Sequence, residues 1–130
     1  MKKTISSLGH SLEGLAHALK TEVNLRRFVI GHCILLALGI WLGIDMVSLF
    51  VITIFAGVFL AIELLNTAIE RLADTLDDCE KTRNGGHYHL GIKQTKDTAA
   101  AGSLIALIVY GGVLAIILPP YILFRFLNLT

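Results

Sequence analysis

Residues 47–61 carry no charged side chain, and a helix of that composition must cover its whole surface with protein or with lipid. A chain of 130 residues forms one domain and has little protein to spare for the purpose. Two more apolar runs, 28–44 and 99–118, compete for the same cover. Hydrophobic residues make up 55% of the chain and charged residues 16%, a balance that belongs to membrane proteins. The expected fold is therefore all-α and integral to the membrane. Its transmembrane spans are placed at 28–44, 47–65 and 99–118, within a single domain covering 1–130. The first strongly apolar run starts near Phe28 and lacks a small-residue cleavage pattern, so no secretory signal is read.

The connecting segments refine this plan. In 1–21, Ile5, Leu8, Leu12, Leu15 and Leu19 recur at spacings of three and four. The segment is too polar to cross a bilayer, and an amphipathic helix lying in the interface is expected; an ordinary packed amphipathic helix has the same pattern. Gly43-Ile44-Asp45 leaves almost no loop, so the first two spans form a hairpin. Glu22 and Arg26 are four apart and suited to pair on a helix. His32 is the one ionisable group of the first span and reads as a packed or interfacial side chain. Residues 75–91 are polar, with mixed charge and the turn signal Asn84-Gly85-Gly86, and are expected to form a cytoplasmic loop, with a helical extension, a flexible lid or a partner contact as further readings of 75–86. Pro119-Pro120 is expected to end the third helix, leaving 121–130 as a short interfacial tail. Cys33 and Cys79 make no disulfide framework.

Basic residues set the orientation. Lys2, Lys3, Lys20, Arg26 and Arg27 precede the first span, and Arg71, Lys81, Arg83, Lys93 and Lys96 lie between the second and third. The turn at Asp45 has none, and the tail has Arg125 alone. The positive-inside rule places the amino terminus and the 75–91 segment in the cytoplasm.

The second span closes on Glu63, Asn66 and Glu70, at i, i+3 and i+7. At about 100° per residue Asn66 lies roughly 60° from Glu63, and Glu70 returns to within about 20° of it. One helix face thus carries two carboxylates and an amide where lipid-facing residues had preceded them. Glu70 suits either a solvated face or a site. Glu63 follows the apolar run directly, and an ionisable group there points to function. With Glu22, Lys96 and Asp97, these groups gather on the cytoplasmic side from three segments. Oxygen ligands of this kind suit a hard divalent cation, and a cation with a lysine suits a polyphosphate. The chain has no G-x-x-x-x-G-K-[ST] loop, no G-x-G-x-x-G after a strand, and no kinase H-R-D or D-F-G pair.

The octet Glu63-Leu64-Leu65-Asn66-Thr67-Ala68-Ile69-Glu70, followed by Lys96-Asp97 and the small residues opening the last span, resembles the prokaryotic diacylglycerol kinase family, which includes undecaprenol kinases. The likeness extends roughly from Leu12 to Leu118. It implies a homotrimer of three-span protomers, each with an interfacial amino-terminal helix, and active sites shared between neighbours. It also implies phosphoryl transfer from ATP to the primary hydroxyl of a membrane lipid, diacylglycerol or undecaprenol, at the cytoplasmic face of the bacterial inner membrane. Glu63 would be the catalytic base and contact the lipid substrate, with Arg26 nearby. Glu22 and Glu70 would hold the Mg2+ that accompanies ATP. Lys96, Asp97, Asn66, His87, Tyr88 and His89 would meet the nucleotide. Lys3 and His10 stand where the family would place an arginine and an aromatic residue, and are the expected nucleotide contacts of the first helix. A small cation transporter or channel subunit is the competing class, since an acidic helix alone permits it. Against it, the first and third spans offer no matching acids at depth.

Overall fold

The structure, a computed structural model, describes residues 2–84 and 90–127, with side chains described for 7–82 and 90–127. Four helices follow along the chain: α1 (Lys2–Thr21), α2 (Val23–Leu42), α3 (Met46–Asn84) and α4 (Leu90–Leu127). The last three are long and apolar enough to cross a membrane. Their apolar windows are 11%, 22% and 11% buried within the protomer, so most of this surface needs lipid or neighbouring helices as its cover. Ile30, Ile34 and Leu38 on α2 and Phe50, Ile54 and Val58 on α3 are exposed at helical spacing, as lipid-facing stripes are.

Glu22 separates α1 from α2. Its backbone is extended, with φ −94 and ψ 111, so the chain breaks helix for one residue. This break removes the expected Glu22–Arg26 pair. Glu22 instead meets Arg71 on α3 at 2.7 Å, and the Arg26 guanidinium donates to the Lys20 carbonyl at 3.4 Å. The break also starts α2 five residues before the span expected from hydropathy.

The hairpin between α2 and α3 is closed from both sides. Gly43 adopts φ 77, the left-handed conformation that ends helices and that glycine takes without strain. Its amide donates to the Ile40 carbonyl at 3.1 Å, and that of Ile44 to Gly39 at 3.0 Å. Asp45 then caps α3: its Oδ1 accepts the amides of Val47 and Ser48, both at 3.0 Å. A Cβ on Gly39 would sit 2.8 Å from the Leu49 Cδ2, so a larger residue there would require the Leu49 side chain to shift.

The core forms where α2, α3 and α4 meet. Ile52, Ala56 and Tyr110 are its buried centre, with Phe28, Leu35, Phe55 and Leu114 packed around them. His32 is packed here too, with its Nδ1 3.0 Å from the Tyr110 hydroxyl and its ring stacked beside Phe28. The contact between α3 and α4 is the most extensive of the molecule. The two helices run antiparallel, and three cross-links fix their register: Asp45 to Tyr121, Glu63 to Ser103 and Asp74 to Lys96.

Two expectations from the sequence are corrected. Residues 75–84, read as part of a cytoplasmic loop at 75–91, continue α3 as helix. The mixed charge there is spaced for a helix: Lys81 meets Asp77 at 2.5 Å across one turn. Ala73 and Asp77 are buried, so this extension packs rather than standing free. Residues 85–89 of that stretch lie outside the described residues. Pro119-Pro120 likewise does not end α4, which holds both prolines and continues to Leu127. Proline removes a backbone donor, and membrane helices tolerate this where other groups serve the freed carbonyls. Here the turns beyond the prolines are tied down by contacts to the hairpin. The Tyr121 hydroxyl donates to Asp45 Oδ2 at 2.5 Å, and the Arg125 guanidinium lies 5.0 Å over the Trp41 ring.

Candidate active site

With 39 residues, α3 is about 58 Å long, nearly twice the thickness of a bilayer's hydrocarbon core. About 20 residues suffice to cross, so a helix entering at Met46 leaves the hydrocarbon near Glu63. From that point one face is polar. Asp74 lies eleven residues after Glu63 and extends the stripe of Glu63, Asn66 and Glu70, again within about 20°.

Partners come to this stripe from the other helices. Glu63 is half-buried, and its Oε2 accepts the hydroxyl of Ser103 on α4. Asn66 is buried; its Nδ2 donates to Glu70 Oε1 at 3.2 Å, while its Oδ1 has no partner among the described residues. Lys96, from α4, meets Asp74 at 2.7 Å. Arg71 reaches the α1–α2 junction, where it donates to Thr21 Oγ1 at 2.5 Å and to Glu22 Oε1 at 2.7 Å. The Arg71 and Glu22 side chains are 41% and 36% exposed. Exposed pairs of this kind contribute about 1 kcal/mol or less, so an arriving ligand can displace either partner.

The expected site residues divide accordingly. Glu63, Asn66 and Glu70 share one face as the spacing requires, and the ion pairs of Arg71 and Lys96 bring Glu22 and α4 to the same helix. Asp97 and Arg26 are exposed on α4 and α2. His10 is 3.7 Å from Glu13 on its own helix and lines a 350 Å³ groove between α1 and α3, together with Gly14, Leu15, Leu64, Thr67 and Arg71. The Lys3 side chain and His87, Tyr88 and His89 lie outside what the structure describes. Among the described residues, no three His, Cys, Asp or Glu side chains converge on one metal position.

Three residues of the site were not picked out from the sequence. Ser103 is hidden in a small-residue run, Arg71 reads as a topology marker, and Asp74 lies in the charged segment beyond the second span. Asp74 was within reach, since it continues the i, i+3, i+7 series. Ser103 and Arg71 carry no such signal, because their partners are distant in sequence.

Three membrane-length helices and an acidic stripe that follows the apolar part of α3 define a small helical membrane protein with a polar face at the end of one span. The chain belongs to the prokaryotic diacylglycerol kinase family, whose model matches residues 9–118. It is 33% identical over 114 residues to a diacylglycerol kinase of Haemophilus influenzae, covering 85% of this chain and 90% of the relative. A diacylglycerol kinase of Escherichia coli K12 is 28% identical, covering 82% and 81%. An undecaprenol kinase of Bacillus subtilis is 25% identical, covering 91% and 89%. The protein is thus a lipid kinase, an enzyme that moves a phosphoryl group to a lipid alcohol, and ATP is the donor its class implies.

Proposed function

We propose that this kinase phosphorylates the primary hydroxyl of diacylglycerol to give phosphatidic acid, with Glu63 as general base. One observation carries the assignment of the base: Glu63 directly follows the apolar stretch of α3, with one carboxylate oxygen engaged by Ser103. A lipid hydroxyl sits where apolar surroundings end. Glu63 takes its proton, the lipid oxygen bonds to the γ-phosphorus of ATP, and the bond to the bridging oxygen breaks to release ADP. The protein's further tasks are positioning and charge neutralisation. Lys96 and Asp97 contact the nucleotide in this reading, with Lys3, His10 and the His87-Tyr88-His89 stretch beside it. Asn66 orients the reacting groups, and Arg26 stands at the lipid headgroup.

The donor set fits magnesium. Glu22 and Glu70 each use Oε1 toward a protein donor, and hard carboxylate oxygens suit this ion, which commonly takes one or two carboxylates together with substrate phosphates. Glu22 and Glu70 would hold it, and when bound it would neutralise phosphate charge. The low burial of the apolar helices leaves surface for association, and the family resemblance implies a homotrimer with α1 lying in the interface. The basic residues support an inner-membrane protein with its site facing the cytoplasm.

Diacylglycerol is preferred because the relatives at 33% and 28% identity bear that name. Undecaprenol is the second reading, supported by the relative that covers 91% of the chain. The test is radiolabelled ATP with magnesium and either lipid, side by side. Labelled phosphatidic acid is the expected product. Label confined to undecaprenyl phosphate selects the second reading, and no labelled lipid from either removes both.

A further inference from the structure

We propose that Ser103 is a positioning residue for phosphoryl transfer: its hydroxyl holds Glu63 Oε2, so that Oε1 is the atom that receives the lipid proton. The inference rests on the reading of Glu63 as the base and adds a residue to it. A glutamate on a helix surface turns about three side-chain torsions, and a base must stand within hydrogen-bond reach of the proton it removes. Something must therefore choose its direction. Ser103 is the one donor to Glu63 among the described residues. Both cations of the stripe are committed elsewhere, Arg71 to Glu22 and Lys96 to Asp74.

The chemistry of the donor matters as much as its place. A lysine or arginine against a carboxylate strongly favours the charged form and weakens it as a proton acceptor. A neutral hydroxyl orients the group with less of that effect. Ser103 is itself well placed to do so. It is 7% exposed, so water does not compete freely for its hydroxyl. It lies seven residues after Lys96, about 20° round α4, so one face of α4 delivers the lysine to Asp74 and the hydroxyl to Glu63. Ala99 and Ala106, one turn to either side and half-buried and buried, allow the close helix approach that so short a side chain needs.

The test measures kcat and KM, for lipid and for MgATP, in S103A, S103T, E63Q and the double variant S103A/E63Q. Misplacing a catalytic group by an ångström costs about a hundredfold, and a loosened base should lose part of that. For S103A the expected result is a kcat lower by roughly tenfold with both KM values within about twofold of the parent. S103T keeps the hydroxyl and should recover most of the loss. Because Ser103 acts through Glu63, the double variant should be no slower than E63Q.

Parental kcat in S103A overturns the proposal. So does a raised lipid KM at unchanged kcat, which would make Ser103 a lipid contact. A further tenfold loss in the double variant would show action independent of Glu63. Loss of assembly in both S103A and S103T would make the residue structural. The base itself is judged separately: an E63Q enzyme with parental turnover sinks that reading, whatever the serine variants show.

Discussion

Asp45 and Glu63 are both carboxylates at an end of the same apolar stretch of α3, and their surroundings differ. Asp45 accepts from the amides of Val47 and Ser48, the Ser48 hydroxyl at 2.6 Å and the Tyr121 hydroxyl. The Ser48 side chain foremost, and then Tyr121, hold its carboxyl well below the usual carboxylate range. Glu63 has one described donor, and the amide oxygen of Asn66, one turn away, has none. A saturated carboxylate fastens the fold. One with spare lone pairs beside an unmatched buried acceptor is arranged for groups that arrive from outside. Burial does not separate the two roles: Asp45 is exposed and structural, while Glu63 is half-buried and assigned to chemistry.

The contrast predicts a hierarchy of effects. Glu63→Gln keeps shape and hydrogen bonding but removes the base, and turnover should fall at least about a hundredfold with assembly intact. Asp45→Asn, in the same radiolabel assay, should stay within about twofold, since this residue contributes to folding rather than to the reaction. Comparable losses in both variants would erase the distinction between the two ends. Glu22→Gln and Glu70→Gln should each raise the KM for MgATP by about tenfold, as expected for a lost charge-assisted contact, and increase the magnesium requirement. Chelation should abolish activity and magnesium restore it, with manganese as a substitute and zinc not needed. Unchanged magnesium titrations in both variants would move the ion elsewhere.

Smaller effects belong to the hairpin end. Asp45→Asn should lower the thermal unfolding midpoint in detergent by a few degrees: the amide still caps the helix, but its NH2 replaces the Oδ2 that accepts from the Ser48 and Tyr121 hydroxyls. The sign of its pH dependence follows from the depressed carboxyl. Its contribution is fully present above the ordinary aspartate value of about 3.9 and fades only as pH falls toward the lowered one. The gap in midpoint between parent and Asp45→Asn should therefore be the same at pH 6 and pH 9, chosen as roughly bracketing neutrality. A gap that closed within this range would mean that the carboxylate is not held as the structure shows.

Much of this organisation was legible in the sequence because it is local. Apolar runs gave the three long helices, Gly43-Ile44-Asp45 gave the hairpin, and the spacing of Glu63, Asn66 and Glu70 gave their common face. What escaped depends on contacts between distant segments or on context. Arg71 and Ser103 acquire partners 49 and 40 residues away, and no periodicity reports that. Residues 75–84 look like loop by polarity, yet their charges pair at one-turn spacing. Pro119-Pro120 reads as a stop because a helix in water would have stopped. The family resemblance gave Glu63, Glu22, Glu70 and Lys96 their chemical roles; the geometry puts Asn66, Glu70, Arg71 and Asp74 together on α3 but leaves the roles to experiment.

The two prolines also act as a depth gauge. Each lacks the amide that would serve the carbonyl four residues earlier, so the carbonyls of Ala115 and Ile116 lose their helical donors. An unserved carbonyl in hydrocarbon costs several kcal/mol, so this turn is more cheaply placed in a headgroup layer, unless other groups serve those carbonyls. Ser103 lies about 24 Å along the helix from Pro119, in a hydrocarbon layer about 30 Å thick. A constraint at this end of α4 is thereby transmitted along the helix to Ser103 and its partner Glu63. Lengthening or shortening α4 between these points would shift Ser103 relative to Glu63 without altering either residue.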